Sequence, residues 1–320
     1  MQLERDLWPD LPYPAWRDTI ATLHLWTQIA GKVRLSLTPW LNHSWQVPLY
    51  VSTRGLTTSP MPCAGELLEL EFDFLHHRLC ARSSRGEERS FALEPRTVAD
   101  FYARVRAVLR ELGVEVAINE HPAELPAAIP FADDRIHASY DAAAVQRFWR
   151  ALTRIDTVLK RFRTGFLGKA SPVHFFWGSF DLAVTRFSGR RAPLHPGGVP
   201  GLADAVTREA YSHEVSSAGF WPGNEAFPRA AFYCYAYPEP PGFNTAAGGA
   251  GAYYDTDLGE FILPYERVRD AVDPEEALLE FLTRTYVAAA DNGRWDRAAL
   301  ECELGVPGRV RPLGPEAARS

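Results

Sequence analysis

From Phe148 to Phe166 apolar residues recur in alternating steps of four and three: Phe148, Leu152, Ile155, Leu159, Phe162 and Phe166. That is the period of one helix face, and Arg147, Arg150, Arg154, Arg161 and Arg163 fall largely off it. Asp141 stands where an N-cap is needed. A single apolar stripe of this length must be covered along its whole length by another apolar layer. Strand-like segments stand on both sides of this helix in the sequence. The fold class is α+β, with antiparallel sheets flanked by helices.

The remaining elements follow the same reading. Trp16 to Ile29 is a helix that Gly31 ends, and Thr97 to Leu112 is a second helix, capped by Thr97 and ended by Gly113. Strands are expected at 33–39, 47–53, 67–74, 78–83, 89–93 and 114–118, with a hairpin turn at Ser84-Arg85-Gly86. After the long helix come a β-type segment at 173–188 and a short helix at 202–211. Strands at 215–221, 231–237, 252–255 and 260–263 follow, then a closing helix at 274–290.

The two halves match when laid over each other. Trp16-Arg17, Gly31-Lys32, Trp45 and VSTRG (51–55) fall on Trp149-Arg150, Gly168-Lys169, Trp177 and AVTRF (183–187), so that Arg54 meets Arg186. SFALEP (90–95) resembles EFILPY (260–265), and each precedes a closing helix. This pattern predicts an internal duplication of a helix–sheet–helix unit. The layout is a first repeat over 11–118, a Pro-rich linker over 119–140, a second repeat carrying the site over 141–302, and a disordered tail over 303–320.

The 320 residues carry a net charge of −6, and no apolar run reaches the ~18–20 residues of a membrane helix. Neither a nucleic acid nor a membrane is therefore the expected partner; a small-molecule ligand is. The N-terminal MQLERDLWPDLPYP has no apolar h-region and does not read as a signal peptide. Cys63, Cys80, Cys234 and Cys302 lie far apart with no metal spacing, which fits reduced thiols in the cytoplasm.

The strings LHLWTQIAGKVRLSLTPW (23–40), SPVHFFWGSFDLAVTRFSGRRAP (171–193), REAYSHEVSSAGFWPG (208–223) and YAYPEPPGF (235–243) resemble the bacterial domain-of-unknown-function family 5996. The resemblance spans about Leu11 to Leu300. It implies a single full-length unit and no particular reaction.

Chemistry has to come from the residues. Period two sets His174, Phe176, Gly178, Phe180, Leu182 and Arg186 on one strand face, and Trp177, Ser179, Asp181 and Thr185 on the other. Asp181 among aromatics is either a desolvated acid or base or the partner of an arginine. His213 and Glu214 close the short helix. With His174 and Asp181 they make the candidate catalytic set, a histidine serving as base or acid and a carboxylate orienting it. Arg186 and Arg190 are candidate anion donors. Trp177, Tyr211, Trp221 and Tyr235 are candidate walls of an aromatic cleft, and Tyr233, Tyr235 and Tyr237 alternate along one strand face. No cofactor motif is present: no phosphate loop, nucleophile elbow or zinc spacing.

The first functional reading is an enzyme acting on a small polar or anionic molecule. One alternative is a non-catalytic small-molecule-binding or interaction protein. The other is a metalloenzyme using the same His/carboxylate set.

Overall fold

The computed structural model describes residues 7–311. The first half holds helix α1 (Tyr13–Leu37), strands β1 (Tyr50–Val51), β2 (Gly55–Thr57), β3 (Met61–Cys63), β4 (Glu66–Asp73), β5 (Arg78–Ser83) and β6 (Glu88–Ala92), and helix α2 (Val98–Glu111). The second half opens with helix α3 (Ala142–Thr164), strands β7 (His174–Phe176) and β8 (Asp181–Arg191), and helix α4 (Asp204–Ala210). It continues with β9 (His213–Trp221), β10 (Ala231–Tyr237), β11 (Tyr253–Asp255) and β12 (Glu260–Pro264), then helices α5 (Tyr265–Arg269), α6 (Pro274–Asn292) and α7 (Arg297–Leu300). The fold is α+β, with two antiparallel sheets flanked by helices.

The first sheet runs β1-β2-β4-β5-β6, with β3 also on β4; the second runs β11-β12-β10-β9-β8-β7. Strand alternation gives each sheet one apolar face. In the first, Leu56, Phe72, Leu79 and Phe91 stand in one cross-strand row. Phe101 of α2 packs on Phe72 and Phe91 and stacks on Trp26 of α1 at 4.5 Å. In the second, Leu182, Val184, Phe220, Phe232 and Phe261 share the face that meets α3 and α6. The predicted stripe on α3 is buried from Phe148 to Phe162, and the Asp141 carboxylate accepts from the Ala144 N–H as its cap.

The two sheets meet at their edges. Leu49 and Phe175 exchange two backbone hydrogen bonds of 2.8 and 2.7 Å, and the Trp177 indole N–H donates to the Val47 carbonyl at 2.9 Å. The Trp177 ring lies directly against Gly31, where a Cβ would stand 2.2 Å from ring atoms. One continuous apolar core runs through both halves.

That contact corrects the sequence reading of Gly31. The glycine does not end a helix; it lets α1 pass under an indole, and α1 continues through 33–37, which was expected as strand. The segment 114–118 is not a strand either: beyond the Val114 N–H, which closes onto the Leu109 carbonyl, it pairs with no other strand. The 173–188 segment is broken by a turn at 177–180, with Phe180 at φ 60°. His174 consequently pairs with Ala183 and shares a face with Asp181, the reverse of simple alternation. Tail residues 303–311 form no helix or strand, and Gly305 N–H donates to Thr164 Oγ1 at 2.9 Å; residues 312–320 lie outside the described residues.

The first half runs helix, six strands, helix; the second also opens on a helix and holds six strands, but α4 stands between β8 and β9 and three helices follow β12. Arg54 lies in the connection between β1 and β2, whereas Arg186 lies inside β8. SFALEP supplies the edge strand β6, and EFILPY supplies β12, between β10 and β11.

Alanine normally favours a helix interior over glycine by about 1 kcal/mol. The fit against Trp177 predicts the opposite sign at position 31, because the added methyl must displace a buried ring. Gly31→Ala is expected to lower unfolding free energy by about 2 kcal/mol net in urea titration. A gain in stability would mean that the indole does not sit there.

Candidate functional site

The faces turned away from the helices differ sharply between the sheets. On the first sheet three acids are paired, Asp73 with Arg54 at 2.8 Å, and Glu71 and Glu88 with Arg82 at 2.7 and 2.9 Å, while Glu69 accepts from the Thr57 hydroxyl at 2.6 Å. Asp73 is fully buried, yet the His76 amide and the Arg54 guanidinium outweigh burial and hold its carboxyl well below the usual range. On the second sheet, the same kind of face carries Asp181, Tyr233, Tyr235 and Glu260, and among the described residues no salt bridge joins Asp181 or Glu260 to a cation.

Register builds this face. Tyr233 of β10 lies opposite Gly219 of β9, which lies opposite Ala183 of β8. A Cβ on Gly219 would stand 2.5 Å from the Tyr233 hydroxyl, so the glycine leaves room for the phenol to lean across β9. There it donates a hydrogen bond to Asp181 Oδ2 on β8. The next row holds Thr185, Ser217 and Tyr235; the Thr185 and Ser217 hydroxyls bond at 2.8 Å. Glu260 follows on β12, one step beyond the Cys234–Phe261 pair. Ala231, Tyr233 and Ile262, with Trp221, Phe227 and Tyr235 against them, form an apolar cluster separate from the main core.

Three segments close over the floor. Tyr211, just after α4, shares a 2.8 Å hydroxyl–hydroxyl bond with Tyr235. The His195 ring stacks on Tyr211 at 4.8 Å and meets Tyr237 at 5.0 Å. Glu124 accepts from the Ser179 hydroxyl at 2.6 Å, and its amide donates to the Pro200 carbonyl, in the loop that holds Gly197, Gly198 and Gly201. On this face Asp181, Ser217 and Tyr233 are buried, and Tyr211, Trp221, Tyr235 and Glu260 around them are half-buried.

Burial pushes the Asp181 carboxyl up to about 7 against the pull of the Tyr233 hydroxyl, and the charge of Glu124 adds to the rise. Burial, then the charges of Asp181 and Asp255, push Glu260 up to about 8, and burial also raises Glu124. Asp181 is 7% exposed, and its Oδ1 has no hydrogen-bond partner. The indole N–H of Trp221 is likewise unpartnered. A carboxyl poised near neutrality with one free oxygen can give or take a proton.

Of the residues singled out in the sequence, Asp181, Tyr211, Trp221, Tyr233 and Tyr235 come together here, with Tyr237 against His195. The others stand elsewhere. Arg186 is on the helix-packed face, sandwiched 3.5 Å from the Phe162 ring centroid and 4.3 Å from that of Tyr286, and donates to the Phe162 carbonyl. Arg190 pairs with Glu214 at 2.6 Å and also donates to the Gly293 carbonyl, so this pair ties down the C-terminal end of α6. Trp177 packs the seam. His174 is fully buried, and burial, with Arg163 and Arg34 nearby, lowers it to about 3, so it stays neutral. His213 lies against His43 at the mouth of β9, where Lys169 donates to His43 Nε2 at 2.5 Å. Among the described residues no three His, Cys, Asp or Glu side chains converge as a metal-ligand set, so the proposed His174, His213, Asp181 and Glu214 set is dispersed.

Glu260 and Gly219 were missed. The tyrosine alternation on β10 was the signal available for this face; only register reveals that an acid and a glycine complete it. Glu124 comes from the Pro-rich segment and carries no periodic signal.

A family model described as "Family of unknown function (DUF5996)" matches residues 8–302. No curated protein and no solved structure matches the chain.

Because the folded-state value of Asp181 stands above its ordinary 3.8, its protonated form stabilises the fold at low pH. That contribution is complete below pH ~4 and is lost as pH rises through about 7. Asp181→Asn, which keeps a neutral group in place, is expected to gain on the wild type by about 2–4 kcal/mol between pH 4 and 8. Urea unfolding at both pH values checks this; parallel pH profiles would place the carboxyl in water.

Proposed function

We propose, for a chain that belongs to the DUF5996 family of unknown function, that the cleft on the open face of the second sheet is a small-molecule site and that the chain is an enzyme working by proton transfer at Asp181. The observation that carries this is the unpartnered Oδ1 of a buried carboxyl whose other oxygen is fixed by Tyr233. In its ionised form Asp181 takes a proton onto Oδ1 from a bound small polar molecule, and Tyr233 keeps the carboxyl oriented. In its neutral form it returns that proton. Near-neutral titration favours both directions at physiological pH. The acid–base role assigned to histidine in the sequence passes to Asp181, since neither His174 nor His213 reaches it.

Trp221, Tyr233 and Tyr235 supply the apolar walls, and Ser217 and Tyr211 supply hydroxyls for orientation. The loop around Gly197-Gly198, tied to Glu124 through Pro200, is placed to cover a bound molecule. Four free cysteines fit a cytoplasmic setting. No helix among the described residues is long and apolar enough to cross a membrane.

One observation favours a binding-only reading. The Thr185 and Ser217 hydroxyls bond each other rather than Asp181.

The test is a mixed small-molecule screen by thermal shift, followed by product analysis with wild type and Asp181→Asn. Compounds that stabilise both proteins but are converted only by the wild type, with at least ~10²-fold loss in the variant, are expected. Stabilising compounds recovered unchanged from both would end the enzyme reading and leave the binding one.

A further inference from the structure

The geometry points to a small organic ammonium ion as the ligand of this cleft, held by the free oxygen of Asp181 and by Glu260 against the rings of Trp221, Tyr233 and Tyr235. The inference rests on the small-molecule reading above and narrows its ligand class.

The charge pattern makes the first part of the case. The titratable groups on this face of the strands are His174, Asp181, Tyr233, Tyr235, Tyr237, Glu260 and, on β11, Tyr253 and Asp255, with Arg191 and His213 paired at the far end of β8 and β9. From the segments packed against them come Glu124, Tyr211 and His195. Arg229 stands at the rim, over Phe227 at 5.6 Å, and acts on Tyr253 rather than on the floor acids. Among the described residues, then, the acids of the floor and walls have no cation of the protein's own. On the other sheet the same chain sets Asp73 against Arg54, and Glu71 and Glu88 against Arg82.

The second part is independent of the acid count. Asp181 Oδ1 is an unpartnered oxygen on a side chain more than nine-tenths buried. An ionised carboxylate at such a place needs a positive partner, and an anion would be repelled. The aromatic cluster offers what a hydrated metal ion does not use: π faces. Tyr233 and Tyr235 present parallel rings 6.1 Å apart, with the Trp221 ring 6.4 Å from Tyr233. Ring faces attract alkylammonium ions, and their hydrocarbon skirts bury apolar surface at the same time. Carboxylate at one end and rings along the side therefore select a cation with a small apolar frame.

The test uses the full chain and three probes: methylammonium, tetramethylammonium and choline, with 3,3-dimethyl-1-butanol as the uncharged isostere of choline. Calorimetric titration at pH 6 and pH 9 is expected to show choline binding that strengthens about tenfold or more with pH, as the acids ionise. At pH 7 the binding enthalpy should depend on the buffer's ionisation enthalpy, because binding releases protons. The uncharged isostere should bind more weakly and show neither effect. Asp181→Asn and Glu260→Gln should each reduce the pH dependence, and the wild-type comparison stands even if a variant fails to fold.

Failure of all three cations to bind at pH 9 would overturn the inference. So would equal, pH-independent binding of choline and its isostere. If Asp181→Asn weakened both equally, the cation would be lost as a ligand class while the small-molecule site stood.

Discussion

Trp177 resting on Gly31 is the contact on which the rest of the molecule depends. The ring occupies the space of a missing side chain in the middle of α1, and its N–H is fixed by the Val47 carbonyl. This holds the turn between β7 and β8 against the first half, while Leu49 and Phe175 join the sheet edges two residues away. The turn in turn starts β8 at Asp181. A tighter or looser seam would shift β8 along β9, and a one-residue slip would move Asp181 to the helix-packed face. The position of the carboxyl is thus set by packing some distance from it.

Two sheets of similar size treat buried charge in opposite ways. Asp73 lies on the first sheet with Arg54, His76 and Arg78 about it, and its ionised form is the stable one. Asp181 lies on the second with a phenol, a second acid nearby and a hydroxyl-rich floor, and its neutral form is favoured up to about 7. The difference is one of partners, since both carboxyls are out of water. An arrangement that withholds a counter-charge costs stability at neutral pH, which is the usual mark of a place kept for chemistry or for a ligand.

Much of the fold was legible in the sequence because periodicity reports burial. The α3 stripe, the β5 boundaries and the whole of β10 follow directly from it. Gly31 and the 173–188 segment were misread for a shared reason: local pattern does not reveal a tertiary contact. A helix passes through a glycine when another chain segment needs the room, and an aromatic strand turns when Phe180 adopts a left-handed backbone. The site was partly legible in the same sense. Asp181, Tyr211, Trp221 and Tyr235 carry visible chemical character, whereas Glu260 and Gly219 matter only through cross-strand register. Arg186 looked like an anion donor because its type is; its burial among Phe162, Phe166 and Tyr286 is a property of the packed face.

The central claim is that Asp181 is a desolvated carboxyl with one free oxygen, and its titration can be read directly. Carbon-13 NMR of the side-chain carboxyls, with the Asp181 signal assigned by its loss in Asp181→Asn, would follow it from pH 3 to 10. The structure predicts a midpoint near 7. A midpoint near the ordinary 3.8 would mean that water or a cation reaches the carboxylate, and the site would lose its chemical basis.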